Sequence, residues 1–72
     1  MNREMRYQFI VAERLTDETL ADFPELAEAT SVVGHWGTAL FGPVTDRAHL
    51  YGLLHRFNVL GLTVVNLQRL PD

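Results

Sequence analysis

The sequence predicts one α+β domain, a four-stranded antiparallel sheet carrying two helices on one face. Three observations predict it. Four short runs of β-forming residues and two helical segments follow one another in the order β, α, β, β, α, β. The pattern occupies 72 residues, the length of a single compact domain. The second helical segment carries Leu50, Leu53, Leu54 and Phe57 at i, i+3, i+4 and i+7, a single apolar stripe.

The domain is read as spanning 1–72, with residues 1–5 a flexible N-terminus. Tyr7 to Ala12 forms the first strand, with Tyr7, Phe9 and Val11 on one face and Gln8, Ile10 and Ala12 on the other. Thr16 then caps a short helix whose first turn holds Asp17 and Glu18, at the positive end of its dipole. Leu20 and Phe23 supply its apolar side. Pro24 restricts Phe23 and ends or kinks the helix, and Leu26 anchors the exit.

Thr30 to Val33 and Thr38 to Phe41 read as strands two and three, joined through Gly34-His35-Trp36-Gly37, whose glycines suit the positive φ angles of a hairpin. Gly42-Pro43 is expected to stop the pairing, because proline has no N–H to donate. Thr45 or Asp46 opens the second helix. Gly61 is suited to end it in a left-handed conformation, with Leu62 packing back. Thr63 to Leu67 is the last strand, running out through Gln68, Arg69 and Leu70 to Pro71.

That order matches a split βαβ unit, whose right-handed crossovers place both helices on one face and give the strand order 4-1-3-2. The predicted fold class is therefore α+β, ferredoxin-like βαββαβ. The segment Gly42-Pro43-Val44-Thr45-Asp46-Arg47-Ala48, with Leu50, Gly52-Leu53-Leu54 and Leu60-Gly61-Leu62, resembles small uncharacterised bacterial proteins of this fold. The resemblance covers the second half best. It implies a fold, and neither an activity nor a catalytic residue.

Composition narrows the function classes. An apolar fraction of 47% with 21% charged residues is that of a folding chain. The absence of cysteine removes disulfides, thiolate metal sites and cysteine nucleophiles. Six basic residues against nine acidic ones give −3, the wrong sign for a surface that neutralises phosphates, so nucleic acid is not an expected partner. No run approaches transmembrane length, and no membrane partner is expected. Cytoplasmic residence is the default expectation.

Two surfaces look unfinished. A sheet with helices on one side exposes its other face, which here receives Arg6, Gln8 and Ile10. The last strand adds either Leu62, Val64, Asn66 and Gln68 or Thr63, Val65 and Leu67, so aliphatic side chains lie outside in both cases. Such a face serves a sheet-to-sheet dimer or a ligand platform, or else holds scattered surface apolar residues. On the second helix, the side opposite the Leu stripe gathers Ala48, Gly52, His55 and Val59 without a carboxylate, and Tyr51 stands beside it. A helical glycine costs about 1 kcal/mol relative to alanine and often marks a close backbone approach. The alternative is a tolerated surface glycine.

Chemistry is harder to find. His49 and His55 are six residues apart and point away from each other on a helix, while His35 has no matched partner, so the three read as surface histidines and no metal is assigned. His35-Trp36, a titratable ring beside a large indole between two glycines, is either a binding anchor or a cap over the sheet edge. Ser31, the sole serine, has no neighbouring base, and Asp17, Glu18, Asp22, Glu25 and Glu28 read as a solvated acidic face. There is no glycine-rich phosphate loop. The aromatics Tyr7, Phe9 and Phe41 lack the basic surround that RNA recognition on this fold requires.

The functional expectation is a non-enzymatic interaction or assembly module, forming a homodimer or docking on a larger protein. Its candidate interface is Ile10, His35, Trp36, Ala48, Tyr51, Gly52, His55 and Val59. Catalytic, cofactor-binding and metal-binding residues are assigned to none, and no cofactor is expected. One alternative is a small-molecule regulatory domain similar to the ACT type, although Glu13-Arg14-Leu15 stands where a glycine-bearing loop belongs. Another is a small enzyme resembling the dimeric α/β barrels, which would need a roomier chain.

Overall fold

A computed structural model describes residues 5–28 and 37–71. The elements are β1 (Met5–Val11), α1 (Asp17–Leu20), β2 (Ala27–Glu28), β3 (Thr38–Val44), α2 (Arg47–Val59) and β4 (Val64–Leu70). They form an α+β unit with one four-stranded sheet in the order β2-β3-β1-β4, every neighbouring pair antiparallel.

β1 starts at Met5, opposite Val44, so the residue expected to close a flexible N-terminus is part of the sheet. α1 is a single turn. Thr16 caps it by accepting from the Thr19 N–H at 3.2 Å. Beyond Leu20 the chain makes three-residue turns, Asp22 N–H to Thr19 O, Phe23 N–H to Leu20 O and Leu26 N–H to Phe23 O, each 3.0 Å. Pro24 cannot donate the next helical bond, so the helix stops short and Phe23 reaches the core from a turn.

On the flank of β3 away from β1, the segment that pairs among the described residues is Ala27–Glu28, opposite Phe41 and Leu40. The expected second strand, Thr30 to Val33, lies outside the described residues. Gly37 has φ +98°, and a side chain there would collide with the Val11 and Ala12 carbonyl oxygens.

The expectation that Gly42-Pro43 ends the pairing is incorrect. β3 continues to Val44, with Gly42 opposite Tyr7 and Pro43 opposite Arg6. The β2 ladder ends at Phe41, so Pro43 lies past it, where that flank of β3 demands no donor. Gly42 is needed for a different reason: any Cβ there would strike the Glu25 carbonyl oxygen, where the chain entering β2 crosses close by.

α2 is as the stripe predicts. Asp46 caps it, accepting from the His49 N–H at 2.8 Å, and Leu53 and Phe57 are buried. At its end the Gly61 N–H reaches Asn58 O at 3.0 Å and the Leu62 N–H reaches Phe57 O at 2.9 Å, the paired bonds of a Schellman cap, with Gly61 at φ +75°.

The core is Phe9, Val11, Phe23, Leu40, Val44, Leu53 and Phe57. Phe57 stands at its centre, stacked on Phe23 at 4.4 Å and tilted against Phe9 at 5.4 Å between ring centroids. Thr38 is the buried polar side chain among the described residues. Its hydroxyl donates to Glu13 O at 3.0 Å and accepts from Leu15 N–H at 3.1 Å, pinning the loop after β1.

Candidate functional site

β4 is the element with the most surface left open. Among the described residues it has a strand partner, β1, on one side only, so its other flank presents backbone N–H and C=O groups that no described strand pairs. Its seven residues, VVNLQRL, contain no proline and one charge, Arg69. Val65 is 58% exposed and Leu67 40%.

The faces of β4 follow from its register. Leu67 lies opposite Phe9 and so shares the helix-bearing face, whereas Asn66 and Gln68 lie opposite Ile10 and Gln8 on the open face. Val64, however, pairs with Val11 and also packs toward the core. Val65 is the extra residue of a bulge between these registers. Neither of the two alternations expected for the last strand therefore holds along its whole length. The bulge switches phase, placing Val64 and Leu67 on the helix side and leaving Asn66, Gln68 and Leu70 on the open face.

The expected interface residues do not form one surface. Ala48, Tyr51, Gly52, His55 and Val59 are all exposed on α2, Tyr51 by 60% and Val59 by 69%. A Cβ built at Gly52 meets nothing within 4 Å, so among the described residues no backbone from outside the helix approaches it. Ile10 is half-buried on β1 and belongs to the sheet face turned away from α2, sharing it with Ala39 and Asn66. His35 and Trp36 lie outside the described residues.

The open face is partly occupied by its own side chains. The Arg6 guanidinium lies over the Phe41 ring, 5.9 Å from its centroid, a favourable cation-π contact that shields the aromatic.

Glu25, His49 and Arg56 form a polar cluster that the sequence pattern did not disclose. His49 Nε2 lies 3.1 Å from Glu25 Oε2, and Arg56 donates to Glu25 Oε1 at 3.4 Å and to the Asp22 carbonyl at 2.9 Å. The Thr45 backbone N–H donates to His49 Nδ1 at 3.1 Å, so the other ring nitrogen carries the proton given to Glu25. Partial burial raises the Glu25 carboxyl, but its own backbone N–H, the His49 hydrogen bond and the Arg56 charge together outweigh this and hold it below the ordinary glutamate value. The pairing is between residues 24 positions apart in sequence, which no helical or strand spacing could signal. Asp17, Glu18, Asp22 and Glu28 are exposed, as a solvated acidic face should be.

The cluster has the order of a catalytic relay, hydroxyl, imidazole, carboxylate, since Thr45 Oγ1 lies 3.3 Å from His49 Nδ1. The Nδ1 lone pair that a general base would use already accepts the Thr45 backbone N–H. Among the described residues no three His, Asp or Glu side chains are grouped to hold a metal ion. No helix among them is long and apolar enough to cross a membrane.

The family model of a domain of unknown function, DUF8691, matches residues 6–68. The chain belongs to the DUF8691 family. No curated protein and no solved structure matches it. The matched span runs from the second residue of β1 to Gln68, so α2, the Glu25 cluster and most of the β4 edge are all parts of the DUF8691 domain.

Proposed function

We propose that this DUF8691 chain is a non-enzymatic assembly module of ferredoxin-like fold that self-associates through β4. The observation that carries the reading is the outer edge of that strand, which no strand among the described residues covers: seven residues, no proline, and exposed Val65 and Leu67. Natural sheets protect such edges with short strands, prolines, inward charges or bulges. Here the bulge sits at Val65 and the charge at Arg69, and the stretch Asn66 to Gln68 between them carries neither.

The fold assignment is supported by the sequence of neighbours β2-β3-β1-β4, which counted from the other edge is 4-1-3-2, and by packing of Leu20 from α1 and Leu53 and Phe57 from α2 onto the cluster around Phe9 and Val11. Size supports the assembly reading. A chain of 72 residues without disulfides has little core in reserve, and pairing an edge strand adds backbone hydrogen bonds and apolar burial at once.

Light scattering coupled to size exclusion, run over a hundredfold range of loading, tests the proposal. A dimer that dissociates on dilution, and that Leu67→Lys abolishes while the circular dichroism spectrum is unchanged, is the expected result. A monomer at every loading overturns it.

A further inference from the structure

We infer that the occupant of the β4 edge is β4 of a second copy, in the register that sets Leu67 opposite Leu67. The inference rests on the self-association proposed above and adds to it the strand, the direction and the register.

Symmetry restricts the choice. In a two-fold dimer, if residue i faces residue j then j faces i. In an antiparallel pair, facing residues both turn their backbone groups toward the partner strand or both away, and their side chains share a face. Residues i and i+1 differ in both respects, so they never face each other. The two-fold axis of a β4 pair must therefore pass through a residue position and not between two.

Among the possible centres, Leu67 is the midpoint of β4. It sets Val65 against Arg69 and Asn66 against Gln68 of the second copy, and leaves Val64 and Leu70, which the bulge places on opposite faces, outside the ladder. Each match is chemically compatible. The two Leu67 side chains meet on the face that holds Phe9, which prolongs the apolar side of the sheet. Asn66 and Gln68 lie on the opposite face, where their amides donate to and accept from one another. The aliphatic stem of Arg69 covers exposed Val65 while its guanidinium stays in water.

Neighbouring centres are poorer. Arg69 as the centre would oppose two guanidinium groups and draw Pro71 into the ladder, against like-charge repulsion and a missing donor. Gln68 as the centre sets Leu67 against Arg69 and Val65 against Pro71. Asn66 as the centre carries the pairing past the bulge to Leu62, before the strand begins. The Leu67 register produces an eight-stranded sheet whose two-fold axis is perpendicular to it, with the helices of both copies on the same side.

The chain contains no cysteine, so single cysteines report the register directly. Facing residues of an antiparallel pair have Cα atoms about 4.5–5.5 Å apart, inside the range a disulfide bridges. Leu67→Cys, Val65→Cys, Arg69→Cys and, on α2, Gly52→Cys are each oxidised at a concentration where the parent chain is dimeric. The expected result is a covalent dimer from Leu67→Cys alone, and from Val65→Cys mixed with Arg69→Cys but from neither by itself. A dimeric parent whose strongest cross-link forms through another single position, Gly52→Cys included, overturns the register and leaves self-association standing. A monomeric parent overturns both.

Discussion

The imidazole of His49 joins two parts of the chain that no backbone ladder connects: its Nε2–H donates to Glu25 before β2 at 3.1 Å, and its Nδ1 accepts from Thr45 at the mouth of α2 at 3.1 Å. Both ring nitrogens are thus used. The clip holds the approach to β2 against the start of α2, beside Gly42, where the Glu25 backbone passes too closely for any side chain.

His49→Ala should lower stability by about 1 kcal/mol, the net worth of a hydrogen bond of this kind at a partly exposed site. Urea denaturation of His49→Ala, Glu25→Gln and the double variant measures it. Strict additivity of the two single effects would show that the side chains do not interact.

Acid should destabilise the fold through two glutamates. The Thr63 N–H hydrogen bond, 2.8 Å long, holds the Glu13 carboxyl below its ordinary 4.5, and the contacts to His49 and Arg56 help hold Glu25 below the same value. A depressed folded value means that the unfolded chain binds protons first as the pH falls. The contribution is complete above 4.5 and disappears as the pH drops through the lower folded values. Thermal melts from pH 6 down to pH 3 should show a falling midpoint, and a smaller fall in the variant Glu13→Gln/Glu25→Gln.

Phe57→Ala should unfold the domain. The ring is fully buried and contacts both Phe9 and Phe23, and losing a buried phenylalanine costs about 3–5 kcal/mol, most of the stability of a chain this small. Far-ultraviolet circular dichroism at 25 °C reads the outcome. Phe57→Leu should retain the fold with a reduced midpoint, and a native-like Phe57→Ala would contradict the central role given to this ring.

Gly52→Ala should raise stability by about 1 kcal/mol, because alanine is the better helix former and the new Cβ meets nothing within 4 Å among the described residues outside its own helix. With β4 as the interface, the dissociation constant of the dimer should be unchanged. Weaker self-association in Gly52→Ala would move the interface from β4 to the outer face of α2.

The two helices, the Thr16 cap, the second cap to within Thr45 or Asp46, the left-handed Gly61 and the Leu50 to Phe57 stripe were legible because each is a local matter. A cap bonds within three residues, a stripe repeats with the helical period, and a positive φ favours glycine wherever it occurs. Pro43 misled the reading for the same reason. The rule that proline ends pairing presumes a demanding neighbour on its N–H side, and whether one exists beyond Phe41 depends on where another strand stops.

What the sequence alone determined, then, is the α+β class, the succession of strands and helices, and an apolar core drawn from the Leu and Phe positions. Only the tertiary structure decided that Glu25 meets His49 and Arg56, that β4 changes phase at Val65, and that no strand among the described residues lies beside its outer flank. Periodicity records which side of its own element a residue occupies. Edges, bulges and long-range pairs are relations between elements, and they come into existence when the sheet assembles.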